Sequence, residues 1–93
     1  MIDANTISRA ECVICQFAQG LGKECRTVKL DDDLHNGLGL SSDEGVLLVL
    51  EICDEFGIEL PDDFNAVVDD CGTKGRRFEQ LVEEIQALLN SEE

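Results

Sequence analysis

Apolar residues recur at three- and four-residue steps in several stretches of the chain, which is the spacing of an amphipathic helix. The steps predict helices over four ranges: 6–21, 42–57, 63–71 and 76–89. Asn5 or Thr6 is the expected N-cap of the first helix, because either side chain can accept a backbone hydrogen bond. Strand-like alternation of apolar and polar residues is never sustained. We therefore predict an all-α, four-helix bundle.

The second predicted helix is apolar on more than one side. Its main stripe has these members: Val46, Val49, Leu50, Cys53 and Phe56. Further apolar residues widen the stripe: Leu47, Leu48 and Ile52. We expect the main stripe to pack inward, since the apolar face of a helix normally faces the core. Gly57 is the expected C-cap residue, because glycine readily adopts the left-handed conformation that ends many helices.

A connection of about twenty residues, from Gly22 to Ser41, separates the first two predicted helices. Loops of this length without regular structure are uncommon in small domains and are often functional. Its apolar residues are expected to fasten it across the bundle: Val28, Leu30, Leu34, Leu38 and Leu40. The place where this loop becomes the second helix is therefore the first place to look for function.

Two adjacent serines stand at that place, in the sequence Ser41-Ser42-Asp43-Glu44. Ser41 and Glu44 have the spacing of a capping box, in which each side chain accepts a hydrogen bond from the other residue's backbone. Ser42 then takes the first helical position, with an exposed hydroxyl at the positive end of the helix dipole. Either the serines only cap the helix, or Ser42 carries a modification such as a phosphate ester.

The net charge of −14 on 93 residues is the main feature of the composition. Thirteen Asp and Glu residues, and no Lys or Arg, lie between Leu30 and Thr73. Such a surface repels nucleic acids and anionic membranes, and it favours association with basic partners. It is equally typical of a face that only keeps a protein soluble. Charge alone does not choose between these two interpretations.

The length indicates a single domain, residues 1–93. No apolar run approaches the ~20 residues that span a bilayer. The first residues lack the basic and apolar regions of a signal peptide. We therefore expect a cytoplasmic protein that does not insert into membranes.

Five cysteines, an odd number, are expected to be free thiols in a chain without an export signal. Cys12 and Cys15 form a CxxC pair, but the pair falls in the middle of a predicted helix. The second pair that a zinc site requires is missing from the sequence. A redox or metal protein is therefore the weakest of the hypotheses considered, and no metal site is expected.

The acidic segment 31–42 fails as a calcium-binding loop. Counted from its first residue, Asn36 and Ser42 stand where an EF-hand requires Gly and Glu. We expect His35 in the same segment to be an exposed loop residue. The sequence contains no arrangement that predicts a catalytic residue, and we do not expect an enzyme.

Three segments and the order of the elements form a family pattern. The segment DDDLHNGLGLSS, residues 31–42, ends in Leu-Gly-Leu-x-Ser, and LVLEICDEFGIELPDD, residues 48–63, ends in a Pro-Asp turn. The segment RRFEQLVEEIQ covers residues 76–86. Together they resemble the acyl carrier protein family over nearly the whole chain. The resemblance implies a four-helix bundle with a long first loop, a short third helix, and 4′-phosphopantetheine joined to Ser42.

The resemblance further implies an acyl carrier, which holds acyl groups as thioesters on its phosphopantetheine arm in fatty acid, polyketide or specialised lipid biosynthesis. The expected partners are a phosphopantetheinyl transferase and acyl-transferring or condensing enzymes with basic docking surfaces, and the carrier is expected to be a monomer. Six residues would contact these partners: Asp43, Glu44, Leu47, Glu51, Asp54 and Glu55. The apolar Val46, Leu47 and Leu50 would shelter the acyl chain within the bundle.

The chain departs from the family pattern at the serines. Ser41-Ser42-Asp43 stands where the family has Asp-Ser-Leu, and Gly37 stands where its loop usually has Asp. These differences keep a second hypothesis open. It is an unmodified, acyl-carrier-like interaction module that binds a protein partner through its acidic second helix.

Overall fold

The computed structural model describes four ranges of the chain: 3–25, 27–61, 64–68 and 74–91. Three α-helices lie within them: α1 (Ala4–Gly20), α2 (Ser42–Phe56) and α3 (Phe78–Ser91). β-structure in the same ranges is limited to isolated bridges, Asp33 with Arg77 and Val68 with Gly75. The predicted all-α class is therefore confirmed, and each of these helices lies within about two residues of its predicted bounds.

The third predicted helix, 63–71, is not shown, so the structure does not confirm a four-helix count. Residues 64–68 form bends and a bridge instead, and the rest of the range lies outside the described residues. Asn65 explains the difference in the described part. Its side-chain oxygen accepts hydrogen bonds from the N–H groups of Val67 and Val68, at 2.8 and 3.2 Å. A side chain that takes these donors competes with the helical hydrogen-bond pattern.

Helix α1 begins earlier than predicted, at Ala4. Asp3 is its N-cap, and the Asp3 carboxylate accepts a hydrogen bond from the N–H of Asn5 at 3.0 Å. The prediction of Asn5 or Thr6 as the cap is wrong, because aspartate caps as well as either residue and stands before them. Thr6 lies buried in the first turn instead.

Helix α2 ends as predicted but buries a different stripe. Gly57 is its C-cap residue and has a φ of 66°, in the left-handed region. The buried residues of the helix are Gly45, Leu48, Val49, Ile52 and Phe56. The prediction that Val46 and Leu50 pack inward is wrong, since they are 54% and 63% exposed. Leu47, which was also predicted to contact partners, is 53% exposed. A helix packed on one side covers only part of its circumference, so some apolar residues of this helix must lie outside.

The loop between α1 and α2 is fastened to the core largely as expected. Val28, Leu34 and Leu40 are buried, and Leu38 is partly buried. Leu30 is 37% exposed, contrary to expectation. Three backbone hydrogen bonds of 2.8–2.9 Å join the loop to residues 76–79. The Leu30 carbonyl accepts one of them, so the backbone of Leu30 is held although its side chain is not buried.

The core lies where α1 packs against both α2 and α3. Each helix contributes side chains with no exposed surface: Ile14 from α1, Leu48 and Ile52 from α2, and Phe78, Leu81 and Ile85 from α3. Within the described ranges, no helix combines the length and the apolar character that crossing a bilayer requires. The first turn of α2 stands at the junction of the long loop and this core.

Candidate functional site

Ser41 ends the long loop and caps α2. Its hydroxyl accepts a hydrogen bond from the N–H of Glu44 at 3.2 Å, and the Glu44 carboxylate accepts one from the N–H of Ser41 at 2.8 Å. The predicted capping box is therefore confirmed. The bond from the Ser41 N–H is the largest cause of a lowered pKa of the Glu44 carboxyl, and the Ser41 hydroxyl and the charge of Lys23 add to it.

Ser42 is the first residue of α2 and is exposed, as predicted. Its hydroxyl makes no hydrogen bond to the part of the chain that the structure describes, whereas its carbonyl accepts one from Nδ2 of Asn65 at 2.7 Å. The backbone of this residue is thus held while its hydroxyl stays accessible. Of the two serines, Ser42 is the one whose oxygen can react without breaking a hydrogen bond of the cap.

Asn65 links the first turn of α2 to the segment that follows the helix. Besides its bond to Ser42, it accepts the hydrogen bonds from Val67 and Val68 described above. Gly45 makes this approach possible, because a Cβ on Gly45 would overlap the Asn65 side-chain oxygen. Sequence reasoning missed Asn65. The available signal was Gly45 itself, a residue that weakens a helix and so marks a close approach.

Asp33 organises the loop that leads to the serines. One carboxylate oxygen accepts hydrogen bonds from the N–H groups of His35 and Asn36, at 2.8 and 2.9 Å. These bonds lower the pKa of the Asp33 carboxyl, with the Asn36 N–H as the largest cause. Nδ1 of the exposed His35 lies within hydrogen-bond distance, 2.7 Å, of the carbonyl oxygen of Leu40. The turn therefore fixes the path of the chain up to Ser41.

Lys23 brings a positive charge to this acidic region from the start of the long loop. Its ammonium nitrogen lies 3.8 Å from the position that a Cβ on Gly39 would take. Gly39 has a φ of 74°, a conformation that favours glycine. The same charge contributes to the lowered pKa of Glu44. Because the stretch from Leu30 to Thr73 has no base of its own, the fold supplies one that the sequence pattern did not predict.

The residues predicted to bind partners are not equally available. Five of the six are exposed on α2, as expected for a docking surface: Asp43, Leu47, Glu51, Asp54 and Glu55. Glu44 is occupied by the capping box. Glu51 and Asp54 also line a cleft of about 380 Å³ between α1 and α2, together with apolar side chains such as Phe17. The outer face of α2 therefore combines negative charge with apolar surface.

Glu55, the sixth predicted residue, already has a partner within the chain. The Arg9 guanidinium lies 3.1 Å from the Glu55 carboxylate and also donates a hydrogen bond of 2.7 Å to the Glu55 carbonyl. The guanidinium carbon stands 4.4 Å from the centre of the Phe56 ring, in a cation–π arrangement. Arg9 thus joins α1 to the end of α2, a contact that sequence reasoning missed.

A groove of about 510 Å³ runs beside the exposed apolar residues of α2. Val46, Leu50 and Cys53 line it from the helix, and Leu60 and Phe64 line it from the following segment. The prediction that Val46 and Leu50 shelter an acyl chain inside the bundle does not fit the exposure of these two side chains. Their apolar surface is available to a ligand in this open groove.

The described residues contain no group of three or more His, Cys, Asp or Glu side chains placed to hold a metal ion. Cys12, Cys15, Cys25 and Cys53 are free thiols, as predicted, and Cys71 lies outside the described residues. Comparison with known proteins adds no relative: no family model, no curated protein and no solved structure matches the chain. The functional argument therefore rests on the start of α2 and on the outer face of that helix.

Proposed function

We propose that this chain is an acyl carrier protein that holds acyl groups as thioesters on a 4′-phosphopantetheine arm attached to Ser42. The carrier-type architecture is part of the proposal, with the connection between α2 and α3 in the place of the family's short third helix. One observation carries the proposal. The Ser41 hydroxyl is engaged in the N-cap, whereas the adjacent Ser42 hydroxyl is exposed and makes no hydrogen bond within the described ranges.

The surroundings of Ser42 fit a phosphodiester. Backbone N–H groups and the helix dipole at the start of α2 favour a negative group there, and Lys23 adds a positive charge. When attached, the arm supplies a thiol that carries the acyl group. The chain's own part is to present the Ser42 hydroxyl to a transferase, while Asn65 holds the Ser42 carbonyl and so the orientation of the residue.

The outer face of α2 fits the docking that a carrier requires. Asp43, Glu51 and Asp54 are exposed there and would attract basic enzyme surfaces, which raises the rate of association. Leu47 is 53% exposed and would provide the apolar contact on the same face. Glu55 would contribute less, because Arg9 already neutralises it.

The test is to incubate the purified chain with coenzyme A and a broad-specificity phosphopantetheinyl transferase, and to map the modified residue by peptide mass fragmentation. We expect one phosphopantetheine per chain, on Ser42. Ser42→Ala should abolish the mass increase and leave the fold intact. Ser41→Ala is the matched control: it should keep the modification and lower the free energy of unfolding by about 0.5–2 kcal/mol through the lost cap. An unmodified wild-type chain, both here and when isolated from its native host, would contradict the proposal.

A second candidate function is an unmodified interaction module that binds a protein partner through α2. The exposure of Val46, Leu47 and Leu50 among acidic residues favours it, because such a surface is suited to an interface whatever happens at Ser42. A photo-crosslinking amino acid placed at Leu47 should capture this partner in the native host even when Ser42 is alanine. The same label at Glu84, an exposed residue of α3, is the control. Loss of the crosslink in the Ser42→Ala chain would favour the carrier instead.

A further inference from the structure

Two buried cysteines that the sequence pattern does not pair are in contact. Sγ of Cys15, on α1, lies 2.9 Å from Sγ of Cys25, in the long loop. Both residues are buried, at 7% and 5% exposure. Cys12, the other member of the CxxC motif, is exposed on the solvent side of the same helix. The fold therefore pairs Cys15 with Cys25 and not with Cys12, its neighbour in the CxxC motif.

The loop segment that carries Cys25 is held against α1 at the cysteine itself and three residues beyond it. The side-chain amide of Gln19 donates to the Cys25 carbonyl at 2.9 Å, and the N–H of Val28 donates to the Glu11 carboxylate at 3.0 Å. These contacts fix the two sulfurs at a separation about 0.9 Å longer than a disulfide bond of ~2.05 Å. Closing the bond therefore requires a small local movement and no rearrangement of the helices.

We propose that Cys15 and Cys25 form a redox-active dithiol that a small-molecule disulfide converts into a disulfide, which locks the long loop to α1. The Cys25 thiolate attacks one sulfur of the oxidant and releases the first thiol. Cys15 then loses its proton to solvent and attacks the Cys25 sulfur, which releases the second. Two S–H bonds of the protein and the S–S bond of the oxidant are exchanged for one protein disulfide and two small thiols.

The structure indicates where the oxidant enters. A cleft of about 360 Å³ reaches Cys25 and is otherwise lined by Gln19, Gly22, Lys23 and Glu24. Cys15 is not among its lining residues, so Cys25 is the thiol that attacks the oxidant first. Burial raises the pKa of the Cys15 thiol to about 12, with the contact to Cys25 adding to the effect. The second, intramolecular step is therefore slow at neutral pH, because little of the Cys15 thiolate is present.

The lock would act on the region described above as the candidate site. Lys23 lies two residues before Cys25, next to Gly39 and close enough to Glu44 to lower its pKa. A disulfide at Cys25 therefore restrains the segment that brings this charge to the start of α2. This inference does not depend on the proposed function, because it concerns the contact between α1 and the loop.

The test oxidises the folded chain of 93 residues with oxidised glutathione and maps the disulfide after trypsin digestion. Trypsin cleaves after Lys23 and so separates Cys25, in peptide 24–26, from Cys12 and Cys15, in peptide 10–23. We expect these peptides to appear as a linked pair, with two thiols fewer per chain. The Cys12→Ser variant changes only an exposed side chain and leaves Cys15 as the one thiol in peptide 10–23. A linked pair in this variant therefore identifies Cys15 as the partner of Cys25. Oxidation in concentrated urea is the control, since unfolding should spread the linkages over other pairs.

The oxidised chain should also melt at a higher temperature, by on the order of 10 °C, because the bond closes a short loop in the unfolded chain. The Cys25→Ser variant should show neither the linked pair nor this rise. A link between Cys12 and Cys15 within peptide 10–23 would overturn the proposal. Glutathione retained on Cys12 or Cys25 with no protein disulfide would overturn it equally, and so would a native pattern identical to that in urea.

Discussion

Replacing Gly45 by alanine should destabilise the protein, although the same change in an exposed helix normally stabilises it. Glycine in a helix interior costs about 1 kcal/mol relative to alanine, so propensity alone predicts a gain of that size. At Gly45 the added Cβ would overlap the side-chain oxygen of Asn65 and would lie 2.8 Å from its Cγ. It would also lie 3.0 Å from Cβ of Val67, so space is restricted on two sides.

The magnitude follows from what Asn65 must give up when it moves. Its amide makes three hydrogen bonds, to the N–H groups of Val67 and Val68 and to the carbonyl of Ser42, at 2.8, 3.2 and 2.7 Å. At about 1 kcal/mol each, their loss amounts to about 3 kcal/mol. The gain in helix propensity offsets about 1 kcal/mol of this. We therefore expect Gly45→Ala to lower the free energy of unfolding by about 2 kcal/mol.

Urea unfolding followed by circular dichroism at 222 nm measures this change. Gly20→Ala is the matched control, because a Cβ there meets no atom within 4 Å, and we expect its stability to stay within about 0.5 kcal/mol of wild type. In the Asn65→Ala background, Gly45→Ala should be less destabilising, since the Asn65 amide is gone and only the contact with Cβ of Val67 remains. A stabilising Gly45→Ala in the otherwise unchanged chain would refute the close approach of Asn65 to α2.

Three further predictions concern charge. The melting temperature should rise between low and physiological ionic strength, because thirteen acidic residues between residues 30 and 73 repel one another with no Lys or Arg among them. Calorimetry measures this temperature, and a flat response would contradict the prediction. The pKa values of the Asp33 and Glu44 carboxyls are lowered in the folded chain. Their contribution to stability is therefore present above their ordinary pKa values of 3.8 and 4.5, and it is lost as the pH falls through the lower pKa values of the folded chain. Asp33→Asn should therefore make stability fall less steeply in acid, as measured by urea unfolding across pH 2–6. Arg9→Ala should cost about 1 kcal/mol through its contacts with Glu55 and Phe56, and Arg9→Lys should recover only part of it.

The start and end of α2 were predictable because their signals are local. Ser41 and Glu44 are three residues apart, and the capping box they predict forms as expected. Gly57 needs no distant partner to adopt its left-handed conformation. The exposed position of Ser42 follows from the same cap, so the central residue of the candidate site could be identified from the sequence.

The contacts that hold this site in place were not predictable, because they join residues far apart in sequence. Asn65 reaches Ser42 across 23 positions, and Arg9 reaches Glu55 across 46. Neither pairing leaves a periodic signal. Val46 and Leu50 were assigned to the wrong side of α2 for a related reason. A helix that is apolar on more than one side does not reveal from its own sequence which face its neighbours will cover.

The two candidate functions agree on the outer face of α2 and differ only at Ser42. Asp43, Leu47, Leu50 and Asp54 follow one another at steps of four, three and four residues, which places them along one side of a helix. Such a side, with leucines between acids, combines an apolar contact with attraction to a basic partner, and both functions need that combination. Substitutions on this face would weaken either kind of complex and so cannot separate the two. Only the Ser42 hydroxyl distinguishes the two functions. Its conversion to a phosphodiester is essential to a carrier and irrelevant to an interaction module.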